Sequence, residues 1–182
     1  IYYIIGKNGS GKSTLIDLIL GLYPNYEGEI YYNDINIKEI DIESVRKNLI
    51  SVTEQEPNLI NTTLIDNFTY GFSQYDLGEI EKYCKKLSIY EFIINLPNKF
   101  NFIIGDNSSK ISGGEKQKIS LIHSLIKKSN ILILDEPTSA LDKHSVNQLK
   151  DILQDIKTNK IIIIITHDND LLDIADSVIE LY

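Results

Sequence analysis

The sequence predicts an α/β fold: a mostly parallel sheet covered by helices on both faces, with a helical segment inserted into it. Three observations carry this. Short continuous apolar runs, at Ile1–Ile5, Ile131–Leu134 and Ile161–Ile165, have the length and two-sided apolarity of strands buried on both faces. Stretches with apolar residues at helical spacing alternate with such runs, which is the order of a layered α/β domain. Between residues 62 and 111 the strand signals fade.

Taken in order, Ile1–Ile5 reads as a strand, and the glycine-rich segment Gly6–Gly11 follows it. Leu15, Ile16, Leu18, Ile19 and Leu22 then recur at helical spacing. Gly28–Tyr32 reads as a short strand, with Asn33–Asp34 as a turn. Asp41–Asn48 is expected as a short helix and Leu49–Thr53 as a second core strand. In the middle, Ile80, Tyr83, Cys84 and Leu87 fall at i, i+3, i+4 and i+7, an amphipathic helix with Cys84 on its apolar face. Pro97, Asn98, Asn101 and Asn107–Ser109 mark loops. A helix over Ser112–Lys127 then starts with Ser112 as its N-cap. Ile131–Leu134 is the next strand, and Asp142–Ile156 a helix with Val146, Leu149, Leu153 and Ile156 inward. Ile161–Ile165 is another strand, Asp170–Ala175 a short helix, and Ser177–Leu181 the last strand. Residues 1–61 and 112–182 are therefore expected to form one α/β core, and 62–111 a helical subdomain.

The 182 residues suffice for one domain with a substantial core. Apolar residues are 42% and charged residues 24%, as in soluble globular proteins. The formal net charge of −8 repels phosphate backbones and sets nucleic acid aside as a general partner. A single cysteine forms no internal disulfide, which suits a reducing compartment. No signal peptide is visible, and the longest apolar run, Ile161–Ile165, is far too short to cross a bilayer. The chain holds no methionine and opens inside a strand, so it is expected to be part of a longer protein.

Gly6-Lys7-Asn8-Gly9-Ser10-Gly11-Lys12-Ser13-Thr14 lies between a strand and a helix, the context a phosphate-binding loop requires. Its backbone must curl with N–H groups inward, and side chains at Gly6, Gly9 or Gly11 would obstruct that curl. Lys12 is placed to reach β- and γ-phosphates and the Ser13 hydroxyl to bind Mg²⁺. The helix that starts there adds its positive dipole end. Asp135-Glu136 closes the apolar run Ile131–Leu134, where carboxylates face the crevice of an open α/β sheet. Asp135 suits the metal, and Glu136 suits orienting an attacking water as general base. Alone, an Asp-Glu pair after a strand is as readily a solvated strand end. Ser112-Gly113-Gly114 at a helix start offers N–H groups and a hydroxyl to an anion, and in isolation would be an ordinary N-cap.

Together, Gly6–Ser13, Ser112-Gly113-Gly114-Glu115-Lys116-Gln117 and Asp135-Glu136, in that order, resemble the ATP-binding cassette family, the motor domain of ABC transporters. The resemblance covers essentially the whole chain. It implies a P-loop NTPase fold of the RecA-like kind: a three-layer core with a helical insertion. In the family, the Ser112–Gln117 segment is the signature, which caps the γ-phosphate bound to the partner's phosphate loop. One ATP then needs Lys12 from one chain and Ser112 from another, in a two-fold head-to-tail dimer. Gln55 matches the Q-loop glutamine, which contacts Mg²⁺ and the water. His167 matches the switch histidine, which hydrogen-bonds the γ-phosphate. Pro137-Thr138-Ser139-Ala140-Leu141-Asp142 resembles the D-loop, and Asp142 joins the nucleotide-binding set with it. His123 and His144 match nothing, and His123 is expected to pack.

Ile103-Ile104-Gly105-Asp106-Asn107 looks like the X-loop of exporter cassettes, which contacts coupling helices of the transmembrane domains. Leu59–Asn67 resembles the exporter stretch after the Q-loop. The implied protein is an exporter ATPase on the cytoplasmic face of a membrane, with an importer subunit or a non-transport cassette ATPase as alternatives. A cassette from chromosome-structure or repair ATPases would carry a long coiled coil between loop and signature. Here Ser13 to Ser112 is only 112 − 13 = 99 residues, without heptads. Two departures stand out: Ile111 replaces the usual Leu, and Lys118 replaces the usual Arg, which is not equivalent in fork-type contacts. The family's adenine-stacking aromatic lies ahead of the residues present, and Tyr2 and Tyr3 are too close to the loop to serve.

Overall fold

The computed structural model describes residues 1–7, 9–105 and 111–182. Strand β1 (Tyr2–Gly6) leads into helix α1 (Lys12–Ile19). The hairpin β2 (Tyr31–Tyr32) and β3 (Ile35–Asn36) follows, then α2 (Ile42–Leu49) and β4 (Ile50–Thr53). Next come α3 (Leu64–Thr69), α4 (Leu77–Lys86) and α5 (Tyr90–Ile94). Helix α6 (Gly113–Ile126) returns the chain to β5 (Ile131–Asp135). Helix α7 (Lys143–Ile156), β6 (Ile161–Ile165) and β7 (Ser177–Leu181) complete it.

The five long strands pair in the order β4-β5-β6-β1-β7, all parallel. Because they are parallel, their C-terminal ends share one edge. Thr53 pairs with Leu134, Asp135 with Ile165, and Ile4 with Ile165. The segments leaving β1, β4, β5 and β6 therefore meet at that edge, where open α/β sheets hold ligands.

Successive side chains alternate between two apolar clusters. Ile4, Ile133 and Ile165 pack with Ile16 of α1 and Val45 of α2. Tyr3, Leu132, Leu134, Ile162 and Ile164 pack on the other face with α3, α4, α6 and α7. That is the predicted three-layer core with its mostly parallel sheet.

Residues 62–105 form no part of the sheet. They hold helices α3–α5 and one isolated antiparallel bridge, Thr63 to Ile103. Two backbone bonds pinch the ends of this stretch together: Leu64 N–H donates to Phe102 O at 2.9 Å, and Ile104 N–H to Thr62 O at 2.8 Å. Cys84 is fully buried within it, and burial pushes its thiol up to about 12, so it packs as a small apolar residue. His123 packs as expected, stacked on Phe72 at 5.0 Å. Its Nδ1 lies 3.0 Å from Phe68 O, and burial holds its pKa below the usual imidazole value.

Local expectations differ from the structure in four places. The helical spacing runs on to Leu22, but α1 ends at Ile19, because Gly21 takes a left-handed φ of 66°. Gly21 N–H donates to Leu18 O and Leu22 N–H to Asp17 O, which closes the helix as a Schellman cap. The strand expected over Gly28–Tyr32 shrinks to Tyr31–Tyr32, which pairs with an unforeseen β3 across the expected turn. Asn33 and Asp34 both adopt positive φ, the geometry of a tight hairpin turn. Leu49 closes α2 instead of opening β4. The short helix expected at Asp170–Ala175 is a 3₁₀ turn at Leu172–Ile174.

Candidate active site

Nine of the sequence-predicted residues line one cleft of about 420 Å³ at the C-terminal edge of the sheet: Gly9, Gly11, Lys12, Ser13, Thr14, Gln55, Asp135, Glu136 and His167. A larger cleft, of about 970 Å³, lies between Lys47 and Lys128 on the core and Phe72–Asp76 on the insertion. It contains none of the predicted site residues.

The phosphate loop is built for close approach. Gly9 and Gly11 have φ of 85° and 91°, which side-chain-bearing residues adopt at a cost, and the space where a Cβ would sit is open. Gly6 is needed for a different reason: a Cβ there would collide with the Ser10 hydroxyl and lie 2.7 Å from Leu181 O. The Ser10 hydroxyl is buried and, among the described residues, has no hydrogen-bond partner. Gly11 caps α1 without a side chain, and α1 has no acidic residue in its first turn. Its first N–H groups are thus left to an anion. The buried Lys12 donates from Nζ to Gly6 O at 2.7 Å and Lys7 O at 3.1 Å, which positions the ammonium over the loop. Asn8, also placed in the nucleotide set, lies outside the described residues.

Glu136 is buried at 5% exposure although it is a carboxylate. It adopts a left-handed φ of 47°, a conformation costing about 1–3 kcal/mol in a non-glycine residue. Contacts on both sides hold it. Its N–H donates to Ile165 O at 2.8 Å. Its Oε2 accepts from the Thr166 hydroxyl at 2.8 Å. Its Oε1 accepts from the His167 N–H at 3.2 Å and faces His167 Nδ1 at 2.8 Å. Those contacts, the Glu136 charge and the nearby Asp168 raise the His167 pKa above its ordinary value. Burial, aided by the Glu136 charge and opposed by Lys12, raises that of Asp135.

Ser13, Gln55 and Asp135 present a hydroxyl, an amide and a carboxylate to the same cleft. These are the hard oxygen donors that Mg²⁺ takes, so the residues present fit that ion. Glu136, His167 and Asp168 also place one ligand atom each within 4.8 Å of one another. They suit Mg²⁺ less, because both Glu136 oxygens already accept hydrogen bonds and an imidazole nitrogen prefers softer metals.

Ser112, Gly113, Gly114 and Asp142 do not line this cleft. Ser112 is the N-cap of α6 in a full capping box: its hydroxyl accepts from Glu115 N–H at 3.3 Å, and Glu115 Oε2 accepts from Ser112 N–H at 2.6 Å. Gly114 packs on the segment leaving Glu136, where a Cβ would lie 2.9 Å from Ala140 O. The buried Gln117 reaches the same segment, donating to Pro137 O at 3.4 Å. Asp142 caps α7 by accepting from Ser145 N–H at 2.8 Å, which lowers its pKa, with a smaller contribution from Lys118. Thr166 was not singled out from sequence. Its only signal was its place as the residue between β6 and His167.

A profile of the ABC transporter family matches residues 1–139. The chain is 35% identical over 178 residues to the human ATP-binding cassette sub-family B member 5, covering 98% of this chain and 14% of that protein. It is 34% identical over 176 residues to the ATP-dependent lipid A-core flippase of Saccharophagus degradans, covering 97% of this chain and 30% of that one. A bacterial Atm1-family ABC exporter solved with ATP bound superposes with a TM-score of 0.92 at 29% identity, covering 100% of this chain and 32% of the exporter. The chain thus spans a third or less of the length of these relatives.

Proposed function

The chain belongs to the ABC transporter family, and on that premise we propose that it is the ATP-binding and ATP-hydrolysing cassette of an exporter. The relatives' names favour export over the importer and non-transport alternatives, since they include a flippase and an ABC exporter. The observation that carries the reading is Glu136: a buried carboxylate, fixed through both oxygens, in the same cleft as Lys12, Ser13, Asp135 and His167.

In this reading Lys12, the loop amides and the N-terminus of α1 bind the triphosphate. Ser13, Gln55 and Asp135 hold Mg²⁺, which when bound draws charge from the phosphate oxygens. Gln55 also meets the attacking water. Glu136 accepts a hydrogen bond from that water and takes its proton as oxygen bonds to the γ-phosphorus. The bond from that phosphorus to the bridging oxygen breaks, leaving ADP and phosphate. His167 donates to the γ-phosphoryl oxygens and offsets their developing charge.

Ser112, Gly113, Gly114 and Asp142 serve the nucleotide of a second cassette, paired head to tail, which is why they stand apart from this chain's own cleft. Closing and reopening of the pair would drive transmembrane domains at the cytoplasmic face of a membrane. Among the described residues no helix is long and apolar enough to cross a membrane. Residues 1–61 and 112–182 act as the core and 62–111 as the helical subdomain, a division supported by the pinched backbone at Thr62–Leu64 and Phe102–Ile104. The X-loop residues Asp106 and Asn107 lie outside the described residues.

The test is Glu136→Gln in the full-length protein. Turnover of Mg-ATP should fall at least about a hundredfold while ATP still binds. Hydrolysis near the unsubstituted rate would remove Glu136 from its role.

A further inference from the structure

We propose that Thr166 is a positioning residue that keeps the Glu136 carboxylate aimed during turnover; this rests on the reading of Glu136 as the base. Thr166 is 1% exposed and is the first residue past β6. Its Oγ1 makes two hydrogen bonds, and their directions are fixed by chemistry. The Asp168 N–H, 3.0 Å away, can only donate, so Oγ1 accepts there. The hydroxyl proton is then free for Glu136 Oε2, 2.8 Å away, which as a carboxylate oxygen accepts. With Glu136 ionised, no other assignment uses both contacts. The turn itself is anchored: fully buried Tyr3 of β1 donates its hydroxyl to Asp168 O at 2.8 Å.

The two oxygens of Glu136 therefore have unlike tethers. Oε1 is held by His167, whose side chain is 55% exposed and titratable, and which the proposed mechanism calls to the phosphate. Oε2 is held by a buried, neutral, β-branched side chain with restricted χ1 rotation. When the His167 ring turns to the nucleotide, Oε1 keeps only the His167 backbone N–H at 3.2 Å and can face the water, while Oε2 stays fixed by Thr166. Thr166 thus keeps the strained left-handed residue from swinging out of line, and near-attack geometry is sensitive to such displacement.

The experiment compares Thr166→Val and Thr166→Ser with the unsubstituted full-length protein, measuring kcat and KM for Mg-ATP and the thermal midpoint. Val keeps the shape and loses the proton. We expect kcat to fall about tenfold, KM for ATP to stay within about twofold, and Ser to restore most of the rate. Should Val not fold, Thr166→Ala removes the same hydroxyl without crowding and must show the same split. The inference is overturned if the hydroxyl-less variant keeps the full kcat, if Ser is as slow as Val, or if KM rises while kcat holds. A fast unsubstituted protein, a dead Glu136→Gln variant and an unimpaired Thr166→Val would sink this inference alone. An unsubstituted protein that hydrolyses no ATP would sink the proposed function with it.

Discussion

Helices α1 and α6 both begin in serine- and glycine-rich segments, yet their termini are chemically opposite. Helix α1 starts at Gly11 in a left-handed conformation, with no side-chain cap and no acidic residue in its first turn, and a lysine comes first. Helix α6 starts at Ser112 inside a complete capping box that places the Glu115 carboxylate against its own amide. An uncapped terminus carries about half a positive charge, and a carboxylate there offsets it. The α1 terminus is therefore left for an anion from outside. At the α6 terminus two amides are already satisfied by the capping box, and the Glu115 carboxylate repels a heavily charged anion. It can supply a few donors to phosphate whose charge is neutralised elsewhere, which suits the proposed lid better than a cradle.

If cradle and lid belong to different chains, mixing variants should reveal it, and this is the largest effect expected. Lys12→Ala disables the cradle. Gly113→Asp disables the lid: a Cβ there meets nothing closer than 4.0 Å, and an acidic residue suits a helix start, so the fold survives while the new charge repels phosphate. Each variant alone should lose hydrolysis. Mixed in equal amounts they should recover about a quarter of the original activity, because half of the random pairs are mixed and each mixed pair holds one intact site. No recovery on mixing would mean that Ser112 and Gly113 serve their own chain, or that the partner is a different cassette.

Much of the cradle was legible because its parts sit at strand ends. Gly6 and Asp135 each follow an apolar run, His167 stands one residue beyond another, and a parallel sheet must deliver such ends to one edge. The hold on Glu136 was not legible. Thr166 reaches it across 30 residues, and no local pattern announces a left-handed φ at a glutamate. Helix limits failed where one residue outweighed periodicity: Gly21 ends α1 although Leu22 keeps the spacing. Ser112 was legible as the N-cap of α6, but the Glu115 half of its capping box, and the consequence for anion binding, needed the folded contacts.

A smaller effect separates the two glycines at the α6 terminus, Gly113 and Gly114. Alanine normally stabilises a helix over glycine by up to about 1 kcal/mol. At Gly113 there is room for it, so Gly113→Ala should leave stability unchanged or raise it within that range. At Gly114 the added Cβ would lie 2.9 Å from the Ala140 carbonyl, backbone that has to move. Gly114→Ala should therefore destabilise by about 1–3 kcal/mol in denaturant unfolding. Equal effects at both positions would mean that the lid does not lean on the Pro137–Asp142 segment, and its tie to Glu136 through that segment would be lost.

The smallest effect lies back on the cradle side, in the charge on His167. Its pKa is raised, first by the hydrogen bond to Glu136, then by the Glu136 charge and by Asp168. A raised folded-state pKa means that the stabilisation is fully present below the unfolded value near 6.5 and fades as pH rises through the folded one. The exposed ring keeps this contribution small. Imidazole NMR should find His167 titrating above the ordinary value, and Glu136→Gln should bring it down by removing the charge, with Asp168 keeping part of the elevation. No such response should occur at His123, where burial moves the pKa in the opposite direction and, among the described residues, the ring nitrogen faces the Phe68 carbonyl rather than a carboxylate. A His167 pKa indifferent to Glu136→Gln would show that the pair separates in solution, leaving Thr166, among the described residues, as the one side-chain tether on the base.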